Sequence, residues 1–364
     1  MKKRIEKVGW HVLVIFALLS IALFVIEVST QKSVKARYYE EKIKAGQIFH
    51  EAMKTVKKER ERVRLPIDNI NDPNETGIIG QQFTVITFQR SDLSASLTST
   101  NPNFSAIFVE YFKKLKLKSG DMVAVGVDGT FPAVNLALYS ALRELEIKPV
   151  IITTISSAMW GANNPELTWL DMEHVNYQQG IFAFKSMSAA FGGEDDMGRG
   201  FSPEARILLK NAAARNDVPL LLADSLSMNI KKRSDFYFGQ GKIKAFINIG
   251  KSVANIGVNH VTPITGLIKE RPKNINENSI IGQMLDRKIP VINIIDVNKI
   301  ATRYGLPIAP TPIPSLGKGK LFNEKRFSQT FALIFTLIII FVLFLVIKYD
   351  LEYYLLKKKP QEIK

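Results

Sequence analysis

Cysteine is absent from all 364 residues, which excludes a disulfide framework, a zinc ribbon, an iron–sulfur site and a thiol nucleophile. Histidine is scarce: His11, His50, His174 and His260 are the full set, too few and too scattered for a multi-histidine metal centre. No Gly-x-Ser-x-Gly elbow occurs. Gly250-Lys251-Ser252 has the ending of a phosphate-binding loop, but position 245, where that loop needs its first glycine, is Ala. A nucleoside-triphosphate loop is therefore excluded. No cofactor and no metal site is expected from these residues.

Two long apolar runs are present. Residues 12–26 are broken only by Ser20, and residues 331–347 only by Thr336. With their flanks both approach the roughly 20 residues that cross ~30 Å of hydrocarbon. Tyr349, Tyr353 and Tyr354 follow the second run as an interfacial belt would. The first run has the basic leader Lys2-Lys3-Arg4 of a signal peptide, but its exit, Val25-Ile26-Glu27-Val28-Ser29-Thr30, lacks small residues at a cleavage site. It reads as a signal anchor. The expected organisation is a short basic terminus (1–9), a transmembrane helix (10–28), a basic juxtamembrane amphipathic helix (29–65), an α/β domain (66–325), a second transmembrane helix (329–348) and a basic tail (349–364). Short basic ends favour cytoplasmic termini and an extracytoplasmic central domain, although Lys32, Lys35 and Arg37 on the inner flank blunt the charge rule.

The formal charge is +15, with 49 basic residues against 34 acidic. Its distribution matters more than its size. Residues 32–64 alone carry +6, the two ends carry +2 and +3, and +4 remains for the rest. That is a membrane-proximal pattern, suited to anionic lipid headgroups, and not a nucleic-acid footprint. In the same stretch Ala45, Phe49, Ala52, Val56 and Val63 recur at three-to-four spacing, which predicts an amphipathic helix packed on the domain.

From residue 121 onward, short apolar runs alternate with helical patterns. Strands are expected at 122–127, 149–154, 181–184, 218–222, 243–249 and 291–295, and helices at 132–145, 165–178 and 203–216. Each of these helices would open on a proline. Continuous apolar strands between helices predict a doubly wound, mostly parallel, Rossmann-like sheet.

Ligands of such sheets bind beyond the carboxyl ends of the strands, so the loops there supply the candidates. Gly129 and Thr130, following Asp128, could present backbone N–H groups to an anion. Ser156 and Ser157, Asp224 and Ser225, and Lys251 and Ser252 occupy the equivalent places after other strands. Residues 192–196, Gly-Gly-Glu-Asp-Asp, read as a solvated acidic loop. The most distinctive stretch is 156–174, with Trp160, Asn163, Asn164, Trp169, Asp171 and His174. Asp171 and His174 share a helix face, and Asp171 would orient His174 as a general base. The same residues would equally make a capped helix with its tryptophans in the core. Catalytic candidates are thus Asp128, Asp171, His174 and Asp224.

Three stretches resemble one family. They are residues 121–140, residues 150–174 (with Ser-Ser-Ala-Met-Trp-Gly-Ala, then Pro-Glu-Leu-Thr-Trp-Leu-Asp-Met-Glu) and residues 245–257. In these, and in having an apolar run at each end, the chain resembles the poly-gamma-glutamate system proteins, bacterial membrane proteins of the cell envelope. The resemblance implies an accessory role in poly-γ-glutamate (capsule) synthesis or export, in the bacterial cytoplasmic membrane, with other membrane proteins of that system and the acidic polymer as partners. A membrane-tethered hydrolase or transferase is the alternative. The resemblance carries no site residues.

Overall fold

The computed structural model describes residues 10–258, 264–272 and 275–349. The basic ends, 1–9 and 350–364, and His260 lie outside the described residues. The chain forms two compact units, one of residues 37–322 and one of the two terminal segments.

The larger unit is built on six strands: β1 (Met122–Asp128), β2 (Lys148–Thr154), β3 (Ser188–Ala190), β4 (Ile243–Ile249), β5 (Gly266–Ile268) and β6 (Val291–Ile294). Their order across the sheet is β5-β6-β4-β1-β2-β3, parallel throughout except for β5 against β6. The strands are apolar on both faces because both faces are covered. Val123, Val125 and Val127 of β1 join one core and Ala124 the other. The same alternation sends Ile151 to the first core, and Val150 and Ile152 to the second. This is the period of two that a pleated strand imposes.

Helices α1 (Tyr39–Arg62), α2 (Ser105–Lys114) and α3 (Pro132–Glu144) supply the first core, through Phe49, Val56, Phe108, Phe112 and Leu136 among others. Helices α5 (Pro203–Arg215), α6 (Leu226–Gly239) and α7 (Ile280–Asp286) follow later in the chain, after α4 (Trp169–Gln178). Of these, α6 and α7 cover the opposite face with Ile230, Tyr237, Ile281 and Met284.

Several expectations need correction. Residues 181–184 are not a strand. Phe182 and Phe184 pack on the Tyr139 ring, and the Ile181 carbonyl accepts from Arg143, so side-chain packing replaces a ladder there. The sheet edge is β3 instead, and 218–222 contributes only a single bridge, Ala189 to Leu220. Helix α4 starts at Trp169, not at Pro165. The carboxylate of Asp171 accepts from both Thr168 N and Thr168 Oγ1 at 2.7 Å and fixes the start. Pro165 lies in the preceding hairpin of Asn163–Asn164 against Leu167–Thr168.

Helix α1 buries Ala45, Phe49, Ala52 and Val56 of its expected stripe, while Val63 follows the helix end and is half-buried. The helix lies inside the compact unit, whose boundary falls at Arg37 rather than at residue 66. Two of its cations are turned inward. Lys42 donates to the Leu321 carbonyl at 2.6 Å and pairs with Glu110 at 2.5 Å. Arg60 donates to the carbonyls of Pro66 and Ile79 at 2.8 and 2.7 Å.

The terminal unit pairs Lys32–Lys35 antiparallel with Asn323–Arg326 and carries two apolar helices, Trp10–Ser29 and Gln329–Tyr349. Among the described residues one stretch, Gln329–Val346, is long and apolar enough to cross a membrane, while the apolar part of the first helix, Leu13–Ser29, is shorter.

The core position of α1 has a direct test. Phe49 is fully buried, so Phe49→Ala should lower the unfolding free energy by about 3–5 kcal/mol, measured by denaturant titration of the full chain in detergent. A helix lying loose beside the domain would leave the midpoint unchanged.

Candidate functional site

In the order β3-β2-β1-β4-β6-β5 the chain winds outward in one direction from β1 and in the other from β4. The crevice beyond the carboxyl ends of these two neighbours is the switch point at which open α/β sheets place ligands. Strand β1 ends there in Asp128, and β4 runs on into Gly250-Lys251-Ser252. The Asp128 carboxylate bridges the two: Oδ1 accepts from Thr130 N at 2.8 Å and Oδ2 from Lys251 N at 2.7 Å. Gly250 is required twice over. Its φ is +94°, and a Cβ at that position would overlap the Asp128 carboxylate.

A buried polar network lies behind this bridge. Asp196 and Arg233 form an ion pair with side chains 1% and 0% exposed. Thr154 Oγ1 donates to Asp196 at 3.0 Å, and Ser252 Oγ does so at 3.3 Å. Arg233 also donates to Asn229, Asn255 and Thr154 Oγ1, at 2.9, 3.2 and 3.1 Å. Asn255 donates to Asn248, and Asn248 to Asn293, at 2.9 and 2.8 Å. One chain of hydrogen bonds therefore links β2, α6, β4 and β6.

The two buried aspartates differ in compensation. Asp196 has a guanidinium partner, whereas no cationic side chain among the described residues pairs with Asp128. Burial pushes the Asp128 carboxyl up from its ordinary value of 3.8 to about 6, against the hydrogen bonds from Thr130 and Lys251, and the neighbouring Asp196 charge adds to the rise. Burial also raises Asp196, and Arg233 opposes it.

Asp128 borders a pocket with Thr130, Ser156, Ser157 and Ser252, roofed by Phe88 and Gln89. The roof is held by the Thr87–Gln89 strand pairing with Ser157–Ala158, and by Gln89 Nε2 donating to the Lys251 carbonyl at 3.3 Å. The cavity is small, about 10 Å³, room for about one water. Lys251 also lines a second, larger cleft of about 540 Å³, together with Arg90 and Lys299. Asp92 and Asp296 border this cleft, but each caps a helix, accepting from Ser94 N at 3.0 Å and from Lys299 N at 2.9 Å. Arg90, Lys251 and Lys299 form no ion pair among the described residues, which leaves the cleft a net attraction for anions.

Of the residues singled out by sequence, Asp128, Thr130, Ser156, Ser157, Lys251 and Ser252 converge on the small pocket. Gly129 lies under it, with Ser157 Oγ donating to its carbonyl at 2.7 Å. The rest do not converge. Asp171 is committed to Thr168, Arg215 and Asn216, at 2.6–2.7 Å for the latter two. No hydrogen bond joins it to His174, whose buried Nδ1 has no partner among the described residues, so the Asp171 carboxylate does not orient that ring. Trp169 is fully buried against Tyr139. Trp160 is half-buried with a left-handed φ of 63°, and its N–H donates to the Gln81 carbonyl at 2.9 Å. Asn163 brackets the same Gln81, accepting from its N–H at 2.9 Å and donating to its carbonyl at 2.6 Å. Asn164 accepts from Glu166 N at 2.8 Å in a local turn. Asp224 is exposed, and Ser225 caps α6 by accepting from Met228 N at 3.2 Å.

Sequence reasoning missed Asp196, Arg233, Gln89 and Arg90. Asp196 was expected in a solvated acidic loop, yet it is the buried half of the central ion pair, and the described residues hold no cluster of three or more potential metal ligands. Arg233 sits in a Lys-Lys-Arg run that reads as surface. Comparison with protein-family models, with curated proteins and with solved structures gives no match.

The raised Asp128 value fixes a pH dependence. The folded state holds this proton more tightly than the unfolded chain, so stability falls as pH rises from about 4 to about 6. Asp128→Asn lacks this titration. From pH 4 to pH 7 the wild type should lose up to about 3 kcal/mol relative to the variant, measured by parallel unfolding curves. A pH-independent difference would mean that Asp128 ionises as a solvated aspartate does.

Proposed function

We propose that the chain is a membrane-anchored accessory, non-ligase protein of poly-γ-glutamate synthesis or export, whose α/β domain binds the acidic polymer. One observation carries the reading most directly: three cations that form no ion pair among the described residues, Arg90, Lys251 and Lys299, outnumber Asp92 and Asp296 in the lining of a cleft of about 540 Å³ beyond the carboxyl ends of β4 and β6. A polymer with one carboxylate per residue, ionised at neutral pH because a carboxyl pKa is ~4, complements such a wall. The sequence resemblance points to the same polymer. The non-ligase part rests on the Gly250–Ser252 turn, where the Lys251 N–H is already given to Asp128 and does not face a phosphate.

In this reading the protein sits in the bacterial cytoplasmic membrane with two passes. Its apolar terminal helices act as the anchors, both termini are cytoplasmic and the domain is extracytoplasmic. The exposed cations of the terminal ladder, Lys32, Lys325 and Arg326, then meet anionic headgroups, and membrane proteins of the same export system are its partners.

Fluorescently labelled poly-γ-glutamate, titrated against the full chain in detergent and followed by anisotropy, tests the cleft. Binding should weaken steeply with salt. The double substitution Arg90→Ala and Lys299→Ala should weaken it roughly five- to thirtyfold, about 1–2 kcal/mol for two exposed ionic contacts. Affinity indifferent to both salt and substitution would sink the proposal.

A further inference from the structure

The small pocket and the large cleft share the residue Lys251, and their walls are continuous along the chain. Gln89 roofs the first and Arg90 lines the second, and likewise Thr130 and Phe131. A cation-lined cleft therefore opens beside a cavity of about 10 Å³, water-sized, whose wall carries a buried carboxylate without a counter-ion. Holding an ionised group in the interior costs several kcal/mol without a partner, and the fold supplies a guanidinium to Asp196 while withholding one from Asp128. Both Asp128 oxygens accept one backbone N–H each, and a carboxylate has about four acceptor positions, so capacity remains for a water proton. Gln89 Oε1, buried at the same pocket, has no donor among the described residues. A water between the two would satisfy both.

We infer that this site is hydrolytic: Asp128 is the general base for attack of a water on an amide of the polycarboxylate held in the neighbouring cleft. The substrate class rests on the polymer reading above, since the backbone links of poly-γ-glutamate are amides. In the step, Asp128 takes a proton from the water as the water oxygen bonds to the amide carbonyl carbon. The carbonyl oxygen becomes negative and faces the Lys251 ammonium. Collapse of this intermediate breaks the C–N bond, and the proton on Asp128 passes to the leaving nitrogen. The products are one new carboxyl group and one new amine, with nothing else consumed but water. Lys251, the residue common to the two spaces, aligns the chain with the base, and its ammonium stabilises the oxyanion. A base ionising at about 6 is well matched to neutral operation.

The full chain in detergent is incubated with poly-γ-glutamate of defined length. New amino termini are read by an amine-reactive dye, polymer length by gel filtration, and polymer binding by anisotropy on the same samples. The expected result is amine release with shortening of the polymer, and a rate that rises with pH through about 6 and then levels. Asp128→Asn should lower that rate by at least about a hundredfold, the usual contribution of a general base, with polymer binding retained. Should Asp128→Asn fail to fold, the acid limb of the wild-type profile and the loss of rate in Lys251→Met decide the matter. Polymer bound but not cleaved at any pH overturns the hydrolytic inference and leaves the accessory role standing. Cleavage equal in wild type and Asp128→Asn also overturns it. Polymer neither bound nor cleaved removes both readings.

Discussion

The buried pair of Asp196 and Arg233 is the constraint on which the rest of the site depends. Two opposite charges in the interior lose their hydration, and direct attraction repays that only when the remaining donors and acceptors are also satisfied. Here they are: Thr154 and Ser252 donate to the carboxylate, while Asn229 and Asn255 accept from the guanidinium. Because these partners come from β2, α6 and the turn after β4, the pair fixes the relative placement of elements that local sequence leaves free. Removing either charge would strand the other, a loss of about 3–5 kcal/mol in comparable settings.

The position of Asp128 follows from this. Ser252, bonded to Asp196, holds the turn in which Gly250 makes room for the Asp128 carboxylate and Lys251 N donates to it. The asparagine line from Asn255 through Asn248 to Asn293 extends the same order to β6, beyond which Asp296 and Lys299 border the larger cleft. A water-sized pocket holding an uncompensated carboxylate and a cationic cleft thus stand side by side because one polar network sets both walls. The terminal unit contributes separately, with the helix Gln329–Tyr349, whose large side chains such as Leu333 and Phe341 are exposed and which holds a stretch long and apolar enough to cross a membrane.

Much of this fold is legible in the periodicity of the sequence. β1, β2, β4 and β6 are mostly apolar runs, interrupted by polar residues such as Lys244, Asn248 and Asn293, and α3 and α5 each open on a proline, so the doubly wound plan was legible. Rules for loops after parallel strands also led to Asp128, Thr130, Ser156 and Lys251. What stayed hidden depends on distant partners. Asp196 reads as surface because Glu194 and Asp195 precede it, and Arg233 because two lysines do; only the fold brings them together. Residues 181–184 have a strand's composition, yet the Tyr139 ring claims them. The adjacency of Asp171 and His174 suggested chemistry, but Arg215, far along the chain, takes the carboxylate. Helix α1 showed its apolar stripe plainly, while its depth in the core depends on α2 and α3.

The central claim is that Asp128 is a buried carboxylate left without a counter-ion. Its own titration tests this most directly. Infrared difference spectra of the full chain, wild type minus Asp128→Asn, isolate the protonated carboxyl band of this one residue as pH is varied. The account predicts a midpoint of about 6. A midpoint near about 3.9, the value of a solvated aspartate, would contradict it.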